Sequence, residues 1–519
     1  MKFKDLTDLD KKYAHEIYSN KDLLWDERIG KLMEFFGKSE RTTRRWLVKL
    51  DFKEKLDAEP EQYTIAKERV FDKSKKRFIV TWAQNNTPVH PNFLKNIEAY
   101  GNFIDADIHV IAGRYKNPTS IWSQNQQEDE NWDKLVVPYL DANRHDIHKY
   151  VSILSDIKIQ PTAVNPMVGM RALSGVNSCI FGGPKVHLEM IPVLEGQISK
   201  MMVTTGSITE KNYTDSKSGK VGDFHHTFGF CIVEIKDEET FFIRQVTADD
   251  KTGNFSDLNY TMKNGKVCKN DTIAAIVLGD LHLGHHDEQL IDVTLNDLMV
   301  RLKPDNVVLH DVFDGHSISH HESKDAFKLY QREKDGSNSV KLEVDNMLEW
   351  LKKVAKYKVT IVRSNHDDFI DRWLINNDWK KNIKNALEYI EYAGAILRGD
   401  ATKGIIPYLI EQKFPKMVTL DRSTSFQVKG WELGQHGDIG ANGSRGSLLQ
   451  MRGLNTKCVV GHYHSAGRKD GAIAVGTSTH LRVGYNIGPS SWVQAHVIIH
   501  QDGKAQIITF INGEYTTFK

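Results

Sequence analysis

The sequence predicts an α/β protein, with a layered α/β sandwich over residues 272–519 that follows a helical element and a mixed α/β segment. Three observations predict this class. Short apolar runs typical of buried strands recur in the second half, amphipathic helical patterns separate them, and two helix-like stretches lie near the N-terminus. Because 519 residues exceed what one core usually covers, we expect several domains.

The N-terminal element, residues 1–70, has the pattern of two helices joined by a glycine. Trp25 to Phe36 places its apolar residues on one face, Gly37 ends that helix, and Ser39 is a suitable N-cap for a second helix over residues 40–50. The outer face of the second helix would carry four basic residues: Arg41, Arg44, Arg45 and Lys49. This arrangement resembles a helix-turn-helix, whose second helix enters the major groove of DNA. The alternative is an ordinary helical hairpin with a solvated basic face.

The residue pattern over 75–250 predicts a mixed α/β domain. The sequence does not indicate the role of this domain. A βαβ pattern opens it, with a strand at 78–82, a helix at 91–103 and a strand at 108–111. Residues 201–246 are rich in strand formers, apart from the polar stretch 214–222, which predicts a loop. The best candidate for a domain boundary is the polar stretch 249–271.

Composition narrows the classes of protein. With Lys+Arg 69 against Asp+Glu 68, the chain has no overall cationic field, so any affinity for nucleic acid has to come from local patches. No apolar run reaches the roughly 18 residues that span a membrane. The first residues lack the apolar core of a signal peptide, and four scattered cysteines indicate a reducing compartment. We therefore expect a cytoplasmic protein with no membrane partner.

The second half carries residue types that bind metals, in a fixed order and nearly always just after a strand-like run. The ordered set is Asp280 and His282, then Asp311 and Asp314, then Asn365, His366 and Asp367, then His436, and finally His462 and His464. Loops at the carboxyl edge of an α/β sheet converge on one crevice. Carboxylates, imidazoles and one amide oxygen suit two divalent cations that clamp a phosphoryl group and activate a water. The set therefore predicts a two-metal site.

Over about residues 272–500 these motifs resemble the calcineurin-like metallophosphoesterase superfamily, whose pattern is D-x-H, G-D-x-x-D, G-N-H-D/E, H and G-H-x-H. The chain departs from this pattern at two glycines, which are replaced by His310 and Ser364. Glycine eases tight turns, so both departures bear on the shape of the loops, while every ligand of the pattern is present. Six further histidines in these loops are expected to be exposed or to support the ligands: His285, His286, His310, His316, His320 and His321.

The resemblance implies a role for each residue of the set. One metal would be held by Asp280, His282 and His464, and the other by Asn365, His436 and His462. Asp311 would bridge the two metals. His366 would face the leaving-group oxygen, and Asp314 would orient its ring. The resemblance implies two divalent cations, with Mn²⁺ as the first choice and Mg²⁺, Fe or Zn²⁺ as alternatives.

The branch of the superfamily indicates the substrate. Serine/threonine protein phosphatases follow the second Asp with Arg-Gly, whereas this chain has Asp314-Gly315-His316. Residues 279–284 and 311–314 are instead similar to DNA double-strand-break repair nucleases, and the whole resembles the DNA-degrading metallophosphoesterases of tailed phages. We expect a deoxyribonuclease, located in the host cytoplasm if phage-encoded, with homo-oligomerisation left open. The alternatives are a phosphatase or small-molecule phosphodiesterase, and a DNA-binding scaffold with an inactive site.

Overall fold

The computed structural model describes residues 2–20, 23, 25–50, 72, 74–117, 131–322, 324–454, 456–484 and 486–518. The N-terminal element contains three helices: α1 Asp8–Tyr18, α2 Trp25–Phe36 and α3 Glu40–Lys49. Helices α2 and α3 confirm the two predicted helices, whereas α1 has no counterpart in the sequence prediction. Residues 51–71 lie outside the described residues, so the C-terminal part of the predicted element at 1–70 is not described.

The three N-terminal helices pack around a small core of their own. Leu32 and Phe36 of α2 are fully buried, as the apolar pattern predicts, and Trp46 of α3 packs edge-on against Phe36 with ring centroids 5.1 Å apart. Thr7 caps α1, because its hydroxyl oxygen accepts a hydrogen bond from the backbone of Asp10. The element is thus held together by a small core that includes aromatic rings.

The middle of the chain alternates strands with two described helices. Its elements are β1 Arg77–Gln84, α4 Pro91–Ile104, β2 Asp107–Gly113, β3 Leu140–Asp141, β4 Arg144–His148, β5 Val151–Leu154, β6 Ser178–Phe181, β7 His187–Ile191, β8 Lys200–Thr204, α5 Lys217–His225, β9 Gly229–Ile235, β10 Phe241–Thr247, β11 Phe255–Asp257, β12 Tyr260–Lys263 and β13 Lys266–Lys269. Strands β1 and β2 pair in parallel on either side of α4, which confirms the predicted βαβ unit.

The second half begins with strands separated by helices and ends on a β hairpin. Its elements are β14 Ala275–Val277, α6 Glu288–Val293, a π-helical turn Thr294–Leu298, α7 Met299–Leu302, β15 Val307–His310, α8 Ala326–Asp335, α9 Val340–Leu351, β16 Val359–Val362, α10 Phe369–Asn376, α11 Ala386–Arg398, α12 Ile405–Lys413, β17 Val418–Leu420, β18 Gln427–Val428, β19 Trp431–Glu432, α13 Leu448–Arg452, β20 Lys457–Val460, β21 Gly467–Lys469, β22 Ala472–Ala474, β23 Ala495–Ile499 and β24 Ala505–Thr509.

Three sheets of described strands build the body. The N-terminal sheet has the order β10-β9-β1-β2-β3, the site sheet has the order β17-β16-β15-β14-β23-β24, and the shared sheet has the order β18-β19-β20-β22-β21-β7-β8-β6-β5-β4. In the site sheet, β14 to β17 run parallel and β23 and β24 run antiparallel to them. The structure therefore confirms the α/β class and the closing antiparallel strands.

The shared sheet joins the two segments that the sequence analysis treats as separate domains. Strand β7 of the middle segment pairs with β21 of the second half, with Leu188 opposite Arg468. One buried cluster contains residues of all three sheets, so both the N-terminal sheet and the site sheet pack on the shared sheet. A second cluster packs α6, α7 and α9 to α12 on the other face of the site sheet. These layers form an α/β sandwich. The segments on either side of the predicted boundary at 249–271 share a common core.

Two expectations for the middle segment are wrong. The polar stretch 214–222, expected to be a loop, contributes most of helix α5, which Ser216 caps by accepting a hydrogen bond from the backbone of Gly219. A Cβ atom at Gly219 would lie 1.7 Å from the carbonyl oxygen of Thr214, so close packing requires the glycine there. The polar stretch 249–271, expected to be a boundary, folds into the three-stranded sheet β11-β12-β13.

Four cysteines are described, and all four are free. Cys179, Cys231 and Cys458 are buried as free thiols, and Cys268 is free and exposed. Among the described residues, no helix combines the length and the apolar character needed to cross a bilayer.

His226, at the end of α5, makes the stability of the fold sensitive to acid. Its ring is buried, Tyr213 lies with its hydroxyl 2.7 Å from Nδ1, and burial lowers the pKa of His226 to about 3. Below pH 6.5 the unfolded chain takes up a proton that the folded chain does not, so stability falls as the pH drops from about 6.5 towards 3, by up to about 1.4 kcal/mol per pH unit.

Between pH 7.5 and pH 5.0, the free energy of unfolding of the parent protein should fall by about 2 kcal/mol more than that of His226→Gln. Urea unfolding at the two pH values measures this difference. His480→Gln, which removes an exposed histidine, is the matched control and should keep the parent's pH dependence. An unchanged pH dependence in His226→Gln would show that His226 is not the group responsible.

Candidate metal centre

The metal-ligand residue types follow the ends of neighbouring strands. Asp280, Asp311 and Asn365 come after β14, β15 and β16, which are adjacent parallel strands of the site sheet. His462 comes after β20 of the shared sheet, and an isolated bridge between Asp280 and Thr477 ties the first loop to the strands behind it. The carboxyl ends of parallel strands meet at one edge, so the fold brings these loops together.

Four side chains form the first candidate metal group: Asp280, His282, Asp311 and His464, all buried. The Nε2 atoms of His282 and His464 lie 3.0 Å apart. Asp280 Oδ2 is 3.2 Å from His464 Nε2, and Asp311 Oδ2 is 3.3 Å from His282 Nε2. Two carboxylates and two imidazoles thus converge through single atoms on one point.

This geometry fits a divalent cation. A metal bound at about 2.0–2.1 Å in a tetrahedral site holds its ligand atoms roughly 3.3 Å apart, which is close to the separations in the first group. In addition, Asp280 Oδ1 and Asp311 Oδ1 are buried without a hydrogen-bond partner in the described part of the chain. A buried, unpaired carboxylate oxygen is costly, and a bound cation would satisfy it.

A second candidate group lies on the other side of Asp311. Asp311 Oδ2 is also 3.3 Å from His436 Nε2, which is 3.1 Å from Asn365 Oδ1. The ring of His462 lies 5.3 Å, centroid to centroid, from that of His436, and the backbone NH of His462 donates to Asp280 Oδ2 at 2.7 Å. Asp311 therefore lies where the resemblance would place a bridging carboxylate, and the assignment of ligands to two metals stays a prediction.

His366 lies beside the first group with its ring fixed in place. Its Nδ1 donates to the backbone carbonyl of Asp314 at 2.7 Å, and the ring stacks on Phe369 at a centroid distance of 4.6 Å. The expected contact with the carboxylate of Asp314 is replaced by this backbone contact. The reason is that Asp314 Oδ1 lies 3.0 Å from His282 Nδ1 and 3.8 Å from His366 Nδ1. The carboxylate of Asp314 therefore orients a candidate ligand, while its carbonyl orients His366.

The carboxylates and imidazoles of the cluster shift one another's pKa values. Burial alone would raise the pKa of Asp311, yet His436 and His282 hold it well below its ordinary value. Burial likewise opposes protonation of His436, but the neighbouring Asp311 raises its pKa to about 9. Burial and the neighbouring His282 lower the pKa of His366 to about 4. The carboxylates therefore stay ionised beside protonated imidazoles, and a bound cation would have to displace the protons of those rings.

Four of the candidate residues adopt left-handed backbone conformations that side chains rarely occupy. The φ angles are +41° at His282, +47° at Asp311, +75° at His462 and +53° at His464. Such strain persists where the surrounding structure imposes it, and it is concentrated at functional sites. His310 and Ser364, which replace the two glycines of the pattern, do not have left-handed conformations, because neither is among the described residues with positive φ. Their replacement therefore causes no strain at those two positions.

Three further residues support the site, and of these only His310 is among the residues that the sequence predicts to be exposed or to support the ligands. His310 Nδ1 lies 3.4 Å from His436 Nδ1, so the residue in place of a glycine packs behind a candidate ligand. Gly461 is required because a Cβ there would lie 2.3 Å from Asp280 Oδ1. His496 accepts a hydrogen bond from the backbone of Gly279 at 3.0 Å and lies 2.8 Å from Thr294. The glycine directly before His462 is a signal of close packing that the sequence shows. His496 lies in an apolar strand, and the sequence gives no sign of its role.

The further histidines of these loops differ in exposure. His310 is buried, three are half-buried (His285, His286 and His316), and two are exposed (His320 and His321). His285, Asp314 and His316 form another group whose ligand-type atoms lie within 4.8 Å of one another. This group and His366 line a cavity of about 490 Å³ that adjoins the first metal group. His366 is therefore accessible from this cavity.

The sequence predicts four basic residues on the outer face of α3, but the described ones differ in exposure and in their contacts. Arg44 Nε donates to Glu40 at 3.0 Å, and Lys220 of α5 contacts the other oxygen of Glu40 at 3.2 Å. Arg45 and Lys49 are exposed, whereas the side chain of Arg41 lies outside the described residues. Arg45 and Lys49 are thus the residues of this set that remain exposed for contact with nucleic acid.

The fold and the site together define an α/β protein with a buried Asp/His cluster suited to metal ions. No family model matches the chain. It is 32% identical to Protein A1 of Escherichia phage T5 over 469 residues, which cover 85% of this chain and 83% of that protein. The chain therefore belongs to the family of Protein A1. A solved crystal structure aligned over 46% of this chain and 98% of its own has 10% identity, and its TM-score of 0.25 carries no structural argument.

Proposed function

We propose that this protein is a two-metal-dependent phosphodiesterase of the metallophosphoesterase type that hydrolyses DNA. The observation that carries the proposal is the position of Asp311. A single carboxylate oxygen lies 3.3 Å from an imidazole of each candidate metal group. Two cations sharing one carboxylate are the arrangement that clamps a phosphodiester and activates a water for in-line attack.

The proposed role of each residue follows from its position in the site. Asp280, His282 and His464 would hold one cation, Asn365, His436 and His462 would hold the other, and Asp311 would bind both. When bound, the cations would polarise the phosphoryl oxygens and lower the pKa of a coordinated water. Asp314 keeps His282 in place through Nδ1, so Nε2 is the ring atom directed at the ligand cluster.

His366 is the residue placed to protonate the leaving oxygen. Its Nδ1 is held by the carbonyl of Asp314, so Nε2 is the ring atom available to a substrate in the cavity. Because its pKa of about 4 leaves the ring neutral near pH 7, Nε2 would take up a proton when the anionic phosphodiester binds beside it. Nε2–H would then donate that proton to the oxygen that departs from phosphorus, and the ring would return to the neutral form. Protonation of this kind matters most for poor leaving groups such as a sugar oxygen of DNA.

DNA is the proposed substrate because exposed cations on the N-terminal helices suit a phosphate backbone. The chain has no overall cationic excess, so binding depends on local positions such as Arg45 and Lys49 on α3. Helix α2, the glycine that ends it and helix α3 follow one another in the order of a helix-turn-helix. Host DNA in the cytoplasm of an infected cell is the proposed setting, consistent with a phage relative.

We expect the double variant Arg45→Ala, Lys49→Ala to bind duplex DNA several-fold more weakly than the parent protein. Each lost phosphate contact should reduce the slope of log K against log salt by about 0.9. Fluorescence anisotropy with labelled duplex at several salt concentrations measures both quantities.

The matched control is Lys12→Ala, Lys31→Ala, which removes the same charge from exposed positions on α1 and α2. An equal change in affinity and slope in both double variants would indicate a general charge effect. Unchanged affinity and slope in the α3 variant would make the hairpin structural and remove the support for helix-turn-helix binding.

The substrate class is tested by offering the metal-loaded protein several phosphoesters side by side. Duplex DNA, single-stranded DNA, RNA, a nitrophenyl phosphodiester and a nitrophenyl phosphomonoester are incubated with Mn²⁺ or Mg²⁺. The proposal predicts Mn²⁺-dependent cleavage of DNA that EDTA stops. Hydrolysis of the monoester alone would favour a phosphatase, and binding of DNA without hydrolysis of any substrate would favour a scaffold.

A further inference from the structure

Arg422, which comes just after strand β17, lies between two loops that carry candidate ligands of the second group. Its Nη2 donates to Asp368 Oδ2 at 2.6 Å, and its Nη1 donates to Asp438 Oδ1 at 2.8 Å. Asp368 comes three residues after Asn365 in the chain. Asp438 comes two residues after His436. One guanidinium group therefore joins the loop of one candidate ligand to the loop of the other.

The two candidate ligands on these loops lie close to each other. Asn365 Oδ1 is 3.1 Å from His436 Nε2, which is in turn 3.3 Å from Asp311 Oδ2. Metal–ligand distances have to be correct to within about 0.2 Å, so a cation shared by both loops requires that neither loop shifts. A contact that fixes the two loops relative to each other therefore bears directly on the second group.

Asp368 is a firm anchor for one end of this contact, because two arginines hold its carboxylate. Its Oδ1 accepts a hydrogen bond from Arg363 Nε at 2.7 Å, while its Oδ2 accepts the one from Arg422. Asp368 occupies the N-cap position of α10, yet its side chain makes no capping hydrogen bond there. Its carboxylate serves the arginines instead of the helix. Charge-assisted hydrogen bonds of this kind are among the stronger ones, and these side chains are half-buried.

We propose that Arg422 is a positioning residue for the second candidate group, because it fixes the loop of Asn365 relative to the loop of His436. Its planar guanidinium reaches both carboxylates at once through two nitrogen atoms, whereas the ammonium group of a lysine is a single point charge. Residues that orient ligands without touching the metal typically contribute about 10- to 100-fold to metal affinity. The inference rests on the proposed function, in which the second group holds one of two cations.

The test measures binding of Mn²⁺ to the metal-free full chain, with the electron paramagnetic resonance signal of the free ion as the readout. For Arg422→Ala we expect one Mn²⁺ to bind about 10- to 100-fold more weakly, and the other to bind as it does in the parent protein. A purely electrostatic effect has the opposite sign, because loss of a positive charge would strengthen the binding of a cation. Unchanged or tighter binding of both ions would therefore overturn the inference.

A second background assigns the weakened ion to its site. His436→Ala removes a candidate ligand of the second group, so this variant should already bind the corresponding ion poorly. Adding Arg422→Ala to it should leave the affinity for the remaining Mn²⁺ unchanged. A further loss for the remaining ion would show that Arg422 supports the site as a whole, which contradicts a role confined to the second group.

Two further variants separate the bridging contact from charge and from folding. Arg422→Lys keeps the positive charge but not the paired contacts, so it should weaken the same ion as Arg422→Ala does. Parent-like binding of both ions by Arg422→Lys would overturn the inference, and this variant decides alone if Arg422→Ala does not fold. Arg398→Ala is the matched control, since it removes an exposed arginine of α11 that pairs with Asp400 at 2.9 Å. It should bind both ions as the parent does.

The proposed function and this inference fail on different results. A parent protein that binds two Mn²⁺ ions and leaves every DNA substrate uncut would contradict the proposed function, while the role of Arg422 in metal binding would stand. Two bound ions with the parent's affinities in every Arg422 variant would contradict only the inference. A parent protein that binds one Mn²⁺ or none would contradict both.

Discussion

Asp311→Ala is expected to abolish metal-dependent hydrolysis of DNA while the protein remains folded. Asp311 Oδ2 lies 3.3 Å from His282 Nε2 and 3.3 Å from His436 Nε2, so its removal separates the two candidate groups. The loss should reach roughly three orders of magnitude in turnover, equivalent to about 4 kcal/mol of transition-state stabilisation. Turnover on a duplex substrate, together with metal content by mass spectrometry, measures the effect.

The matched control for this variant is Asp345→Ala. Asp345 is an exposed carboxylate on α9 that pairs with Lys341 at 2.7 Å, and its loss should leave turnover and metal content unchanged. Far-ultraviolet circular dichroism should give the same spectrum for both variants and the parent. Parent-like turnover in Asp311→Ala, with two metals per chain still bound, would exclude Asp311 as the bridging ligand.

His366→Asn is expected to have the second-largest effect, and a selective one. The ring is held by the carbonyl of Asp314 at 2.7 Å and by stacking on Phe369, so it has a fixed orientation beside the cavity. General acid catalysis by a positioned side chain typically contributes about 10²–10⁴-fold. We expect a loss of this size on DNA and a much smaller one on a nitrophenyl diester, whose leaving group needs little protonation.

Metal content separates this role from that of a ligand. His366→Asn should retain two metals per chain and should still bind DNA, because Asn365 and the other candidate ligands are untouched. His480→Gln is the control, since it removes an exposed histidine of a neighbouring loop. If His366→Asn lost a metal, or slowed both substrates equally, the acid role would be ruled out.

The strands of the second half were predictable because their sequence signal is local. Val307 to Leu309 is an apolar run just before His310 and Asp311, and Val307–His310 forms a strand in which all four residues are buried. The same holds for the run before Asn365. Polar residue types placed after buried runs have to lie at the sheet edge, so the order of motifs predicts that these loops meet. The partner of each side chain was implied only by the resemblance, and Asp314 contacts the ring of His282 where the contact with His366 was expected.

The shared sheet and the backbone of the site were not predictable in this way. Leu188 and Arg468 pair across a large separation in sequence, and such pairing leaves no periodic pattern near either residue. The left-handed conformations of Asp311 and His464 are imposed by tertiary contacts and not by intrinsic preference. Helix α5 formed in a stretch rich in poor helix formers because Gly219 and Gly222 allow close packing.

We propose that phosphodiester hydrolysis by this protein depends on two cations held by the Asp/His cluster. The most direct measurement titrates the metal-free protein with Mn²⁺, at a protein concentration well above the dissociation constants, while the cleavage of DNA is recorded. We expect activity to reach its plateau at two equivalents of Mn²⁺ per chain. A plateau at one equivalent, or no cleavage with two metals bound, would contradict it.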